Sequence, residues 1–261
     1  MTSKSAPQTS PRPQAAAQGT PLQLTLSVVG ELLITLGLIL LLFVAWQLWW
    51  TNLAANRIQG DTVQGLIQEF NPTTTPDSAK TAEIPAYDPA NPTLTLSPSY
   101  GQAYGVVYIP RLGADYTRPL AEGVGSDVLD TLGLGHYPES QALGAYGNFA
   151  LAGHRQTNGA VLDHIDQLQT GDNIYIRTAE GYYTYRVYQS QIVLPSQVEV
   201  IAPNPDQLEA PVEEATRRLL TLTSCHPRYG STERYIVHAE FVSWQPNQAG
   251  PPAEIAPVAG S

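Results

Sequence analysis

The sequence predicts a mainly β domain, closed or nearly closed into a barrel, behind a single N-terminal membrane-spanning helix. Three observations lead there. Leu32 to Trp50 is a run of 19 residues without a charge, long enough to cross a bilayer as a helix. Tyr100 to Gln245 contains seven short segments rich in Val, Ile, Tyr and Thr, separated by Gly- and Pro-bearing turns. Seven or eight short strands in about 145 residues favour a barrel over an α/β sheet.

The elements follow in order. Residues 1–21 carry Lys4 and Arg12 and no acid among Ser, Thr, Pro, Gln and Ala, a composition that buries no core and predicts a disordered tail. Residues 22–50 are the anchor, with Trp46, Trp49 and Trp50 crowding one end as an aromatic belt does. A cleaved signal peptide would need a shorter apolar run, more basic residues before it and a small-residue cleavage site. The bulky Trp-Gln-Leu-Trp-Trp end therefore reads as an uncleaved anchor. The chain after Trp50 holds 11 basic and 22 acidic residues, so the positive-inside rule puts the N-terminus in the cytoplasm and the large domain outside. Glu31 falls at the inner interface, within reach of water.

Residues 51–99 read as a helical extension followed by a linker in which Pro72, Pro76, Pro85, Pro89, Pro92 and Pro98 favour an extended spacer of roughly 3 Å per residue. In the domain at 100–245, strands are expected at Tyr104–Ile109, Asn148–Ala152, Asn173–Arg177, Tyr182–Tyr188, Gln191–Leu194, Arg218–Leu222 and Arg234–Trp244. Short helices are expected at Asp127–Leu132, Ala160–Gln167 and Glu209–Arg217. Residues 246–261 are Pro/Ala/Gly-rich and read as a disordered tail without a second hydrophobic span.

Composition narrows the function. A net charge of −10 argues against a nucleic-acid partner, which needs a basic face. One cysteine excludes an internal disulfide and a Cys-cluster metal site. The mean hydropathy of −0.15 averages a membrane span with acidic and Pro-rich segments.

The chemistry concentrates in Arg218-Leu-Leu-Thr-Leu-Thr-Ser-Cys225-His-Pro-Arg-Tyr-Gly-Ser-Thr-Glu-Arg234. Alternation puts Leu220 and Leu222 toward the core and Thr221, Thr223 and Cys225 on the other face. If the two strands pair as a hairpin, Cys225 and Arg234 flank one groove. A lone cysteine is by default a small buried hydrophobe. This one ends a strand among polar residues, in a compartment where a free thiol needs a reason to persist. Arg234 is a donor for a developing oxyanion, or a solvated strand-edge charge. Five histidines compete for the base. His154, where an apolar strand ends in Gly-His, ranks narrowly above His136 in its turn-rich Gly133-Leu-Gly-His-Tyr-Pro138 segment. His226 follows the Cys and points to the opposite face, while His164 and His238 look like surface-helix and strand positions.

Thr221-Leu-Thr-Ser-Cys225 followed nine residues later by Arg234, with Ala152-Gly-His154-Arg upstream, resembles the sortase family of Gram-positive cysteine transpeptidases. Tyr108-Ile-Pro-Arg-Leu-Gly113, Gly135-His-Tyr-Pro138 and Gly147-Asn-Phe-Ala extend the likeness over roughly Gly105 to Trp244. The Cys-His-Pro-Arg variant, the Trp-rich anchor and eleven Arg against two Lys resemble class E, from high-GC actinobacteria. The resemblance implies an eight-stranded sortase-type β-barrel with short helices. It assigns Cys225 as nucleophile, His154 as general acid/base and Arg234 to substrate and oxyanion. Thr223, Ser224 and Tyr108 are the implied substrate-binding residues. The implied substrates are exported proteins with a Leu-Pro/Ala-x-Thr-Gly sorting signal, cleaved between Thr and Gly, and the implied acceptor is the amine of a lipid-linked peptidoglycan precursor. No cofactor and no metal are implied. One departure is that Ser224 stands where the family usually has Thr, with the hydroxyl retained.

Three alternatives stand beside this reading. An L,D-transpeptidase would carry Ser-His-Gly-Cys, which is absent. A pilin-polymerising sortase would bring a C-terminal span and a lid, for which Asn71–Ser99 offers room. A non-catalytic extracellular binding module would have no use for intact Cys225, His154 and Arg234.

Overall fold

The computed structural model describes residues 20–71, 84, 86–208 and 211–259, and the chain divides into two compact units, Met1–Gln47 and Leu48–Ser261. The predicted disordered tail, up to residue 19, lies outside the described residues. Helix α1 spans Pro21–Phe70. In the first unit it is apolar and unburied, with a mean hydropathy of 2.7 over its most apolar window, enough to cross a membrane.

In the second unit α1 changes character. Ala55, Gln59, Val63, Leu66, Ile67 and Phe70 are buried, at the three- and four-residue spacing that lines up one helical face. The unit continues with β1 (Ala103–Tyr108), β2 (Thr117–Glu122), α2 (Ser126–Leu129), β3 (Leu134–His136) and β4 (Gly147–Gly153). It ends with β5 (Asn173–Thr178), β6 (Gly181–Val193), β7 (Arg218–His226), β8 (Glu233–Pro246) and α3 (Ala256–Ala259). The eight strands close into a barrel in the order β1-β2-β3-β4-β7-β8-β6-β5. Neighbours are antiparallel except β2 with β3 and β4 with β7.

Alternation fills the barrel. Val107 and Ile109, Phe149 and Leu151, Leu220 and Leu222, and Val237 and Ala239 meet inside. Their neighbours Val106 and Tyr108 face outward and are covered by Val63, Leu66, Ile67 and Phe70 of α1 and by Ile255 and Ala259.

Strands β2 and β3 escape the sequence reading. β2 contains Pro119, which lacks a ladder donor; β3 pairs with β2 only from Leu120 onward, so Pro119 has a free side there. β3 is three residues long with Gly135 at its centre. Conversely, the strands expected at Tyr182–Tyr188 and Gln191–Leu194 merge into one, β6, which ends at Val193. A register shift between Val187 and Gln189 absorbs the polar break that separated them in sequence. The helix expected at Ala160–Gln167 is a single 3₁₀ turn, Ile165–Gln167, because Asn158 and Ala160 hold positive φ and end any helical path. That expected at Glu209–Arg217 is likewise one turn, Val212–Glu214, after Pro211; residues 209–210 lie outside the described residues.

The segment after residue 245 is not a loose tail. Ile255 is 1% exposed, and Glu254 accepts hydrogen bonds from Asn173 and Tyr175. The buried Arg177 guanidinium donates to Asn71 Oδ1, Asn247 Oδ1 and the Ala259 carbonyl. Pro and Ala keep this stretch irregular, but two apolar side chains and one shared cation hold it on the wall. Residues 86–99 are also irregular and also docked. Trp244 N donates to the Pro89 carbonyl, Tyr183 Oη to the Thr93 carbonyl, and Thr95 bonds Glu180. This half of the linker is therefore not a free spacer; residues 72–83 and 85 lie outside the described residues. Ile255→Ala is expected to lower stability by about 2–4 kcal/mol, as read by thermal unfolding of the full chain.

Candidate active site

Strand register builds the site. β7 lies between a parallel partner, β4, and an antiparallel partner, β8. Ala152 pairs with Thr223 across β4 and β7, and paired residues point to the same face. Two residues further along both chains come His154 and Cys225, again on that outer face. On the other side Cys225 pairs directly with Arg234. His154, 71 residues earlier in the chain, thus meets Cys225 and Arg234 at one end of the barrel through two ladders.

The end of β4 is held tightly. Gly153 admits no side chain, since a Cβ would lie 2.8 Å from Val161, 2.9 Å from Leu134 and 3.0 Å from Leu162. Ser224 Oγ donates to the Gly153 carbonyl at 2.8 Å. That bond ties the residue before the histidine to the residue before the cysteine. His154 Nε2 lies 2.6 Å from Asp130 Oδ1, just after α2, which fixes the ring and leaves Nδ1 as its other nitrogen. At partial exposure such a pair adds about 0–1 kcal/mol, so its effect is orientation. Arg234 Nη1 donates to the carbonyls of Ser231 and Glu233 at 2.9 Å, steadying the guanidinium beside the thiol. Cys225 is free and partly exposed.

Beside these groups runs a groove of about 630 Å³ between β7–β8 and the β6–β7 connection. Leu194, Val198 and Ile201 supply an apolar wall, and Tyr137, Thr223 and Arg234 supply polar groups. The Tyr137 and Thr223 hydroxyls are 3.0 Å apart. Buried Asn148 pins the connection by donating to the carbonyls of Val200 and Ala202, and it accepts from Thr221 Oγ1.

Two expected substrate-binding residues sit elsewhere. Tyr108 is 1% exposed on the outer face of β1 under α1, and burial pushes its hydroxyl up to about 12; β1 is paired with β2 and β5 and not with β7 or β8. Ser224 points to the core side of β7, with its hydroxyl spent on Gly153. Thr223 does line the groove. His136, the rival base, is buried, stacked on Phe149 and bonded to Glu122 Oε2 at 2.8 Å and to the Gln141 carbonyl. It braces β3.

Three residues here escaped the sequence reading. Tyr137 was in view only as part of Gly-His-Tyr-Pro. Asp130 lay within the expected helix Asp127–Leu132, three residues before the Gly133–Pro138 segment, and carried no assignment. Arg155 was visible in Gly-His-Arg but carried no assignment. It is 2% exposed, pairs with Asp166 at 3.1 Å, and bonds His226 Nδ1 and the Cys225 carbonyl.

A sortase-domain family model matches residues 107–242. Sortase SrtE1 of Streptomyces coelicolor is 34% identical over 86% of this chain, which spans 59% of that protein's length. Among solved structures, the SrtA sortase of Actinomyces oris is 41% identical over 63% of this chain and 93% of its own, with a TM-score of 0.59. Sortase E from Streptomyces avermitilis is 39% identical over 60% of this chain and 99% of its own, with a TM-score of 0.53.

His238 gives the site region a pH test. It is buried between Gln191 and Thr221, and burial holds its imidazole below the usual value of 6.5. The folded state therefore prefers it neutral. Its contribution is whole above the unfolded pKa and is lost as pH falls through that value toward the lower folded one. Between pH 7 and 5 the wild type is expected to lose more stability than His238→Gln, measured by urea unfolding at each pH.

Proposed function

The chain belongs to the sortase family of cysteine transpeptidases, and on that premise we propose that it is a membrane-anchored sortase that attaches exported proteins to the cell wall. The α1 segment in the first unit is its anchor, with the N-terminus cytoplasmic and the barrel outside. Its substrates carry a Leu-Pro/Ala-x-Thr-Gly-like signal, and its acceptor is the amine of a lipid-linked peptidoglycan precursor. The single observation that carries the catalytic reading is the double register that brings Cys225 between His154 and Arg234 beside an apolar groove.

The chemistry follows from the groups. The signal lies in the groove, its Leu against Leu194 and Val198. The Cys225 thiolate, the reactive form of a thiol, attacks the Thr carbonyl carbon. Charge moves to the carbonyl oxygen, where the Arg234 guanidinium donates hydrogen bonds. The tetrahedral species collapses as the C–N bond breaks, and imidazolium His154 gives its proton to the departing Gly amine. A thioester remains on Cys225. The acceptor amine attacks it, His154 takes a proton back, and an amide replaces the thioester. Asp130, at Nε2, holds the ring so that Nδ1 serves the transfer.

The pilin-polymerising alternative needs a lid over the thiol. Within 86–99, Ala90 and Asn91 accept from Arg218 at the start of β7, and Thr93 and Thr95 bond Tyr183 and Glu180. Cys225 is seven residues further along that strand, roughly 23 Å away.

The test uses the full chain in detergent with Leu-Ala-x-Thr-Gly and Leu-Pro-x-Thr-Gly peptides and an amine. Mass spectrometry should detect a thioester on the wild type and none on Cys225→Ala, which should not turn over. His154→Ala and Arg234→Ala should each lose about a hundredfold to a thousandfold in kcat, while His136→Gln keeps turnover if it folds. Undiminished activity in Cys225→Ala would end the reading.

A further inference from the structure

The loop that follows His154 is fastened to a part of the chain outside the barrel. Asn52 and Gln59 of α1, two helical turns apart, reach into residues 154–162. Asn52 Nδ2 donates to the Gln156 carbonyl at 3.2 Å, and Asn52 Oδ1 accepts from Gly159 N–H at 2.9 Å. Gln59 Nε2 donates to the Asn158 carbonyl at 3.1 Å. These bonds fall on the least regular stretch of the loop. Asn158 has φ 51°, Gly159 φ 90° and Ala160 φ 47°, conformations that L-residues adopt only when their surroundings hold them. The loop closes on itself where Leu162 N–H donates to the His154 carbonyl at 2.9 Å.

Gln59 is an amide on a face otherwise given to Ala, Val, Leu, Ile and Phe, and it is 1% exposed. A residue serving packing alone would be apolar there, because burying an amide is unfavourable; here Nε2 is bonded to the Asn158 carbonyl while Oε1 is buried with no hydrogen-bond partner among the described residues. Its position also links two loops. A Cβ on Gly159 would come within 2.7 Å of its amide, and one on Gly133 within 3.0 Å. Gly133 belongs to the connection that carries Asp130, the hydrogen-bond partner of His154. One side chain thus wedges against both the loop bearing the histidine and the loop bearing its carboxylate.

We propose that Asn52 and Gln59 are positioning residues for His154, so that the membrane-proximal part of α1 is a working component of the active site. The proposal rests on the transpeptidase reading above. Neither residue touches Cys225, Arg234 or the groove. Their loss should therefore leave peptide binding alone and slow the steps in which His154 moves a proton.

The experiment compares full-length wild type with Asn52→Ala/Gln59→Leu in detergent. The double variant should lose about tenfold to a hundredfold in kcat, with KM for the peptide within about twofold and an altered pH profile of kcat. Asn52→Asp keeps an acceptor for Gly159 N–H and should retain more kcat than Asn52→Ala. Leu66→Ala, which loosens the same helix away from the loop, is the stability control. It should lower Tm yet keep kcat well below the transition. Wild-type kcat and pH profile in the double variant would overturn the proposal, as would a matching kcat loss in Leu66→Ala. A wild type that forms no thioester with either peptide would instead fail the transpeptidase reading itself.

Discussion

The structure turns on the position of β7 between one parallel and one antiparallel neighbour. An antiparallel pair is joined by a short turn, so Arg234 reaches Cys225 almost for free in sequence terms. A parallel pair requires a long crossover, and here 64 residues separate the end of β4 from the start of β7. That crossover makes β5, β6 and the groove wall. The pairing that brings His154 to the thiol is thus made by the same crossover that supplies β5, β6 and the groove wall.

Around that pairing, polar side chains do most of the fixing. Ser224 bonds Gly153, Arg155 bonds the Cys225 carbonyl and His226, and Asn148 bonds both Thr221 and the groove wall. Each is buried and satisfied, the condition under which buried polar groups specify one arrangement rather than weaken it. The apolar core sets that the barrel closes; these bonds set how its rim is aligned.

The placement of Cys225, His154 and Arg234 could be read from the chain because they sit on strands with clear alternation or within compact motifs. Leu220 and Leu222 oriented β7, and so predicted the face of Cys225. Asp130 could not be found that way, because a carboxylate after a one-turn helix has no periodicity to mark it, and only the packing of α2 on β3 brings it to His154. Tyr108 misled because a tyrosine in a first strand looks available until α1 and the C-terminal segment are seen to cover it. The same covering explains the missed order after Pro246. Pro-rich composition speaks to regular structure, whereas Arg177 and Ile255 fix the segment without any. Gln59 was invisible for a related reason, since an isolated amide in a helical mixture resembles surface until its burial is known.

The apolar wall of the groove and the Cys225–His154–Arg234 cluster come from different stretches of chain. Leu194, Val198 and Ile201 lie on the β6–β7 connection, which contributes none of those three residues and is moored at a few points such as Asn148. Wall and cluster are therefore separable inheritances. Mutation can lengthen, shorten or recolour the connection while the two ladders around β7 stay intact, and a lineage can reshape what the groove fits without disturbing the cluster beside it.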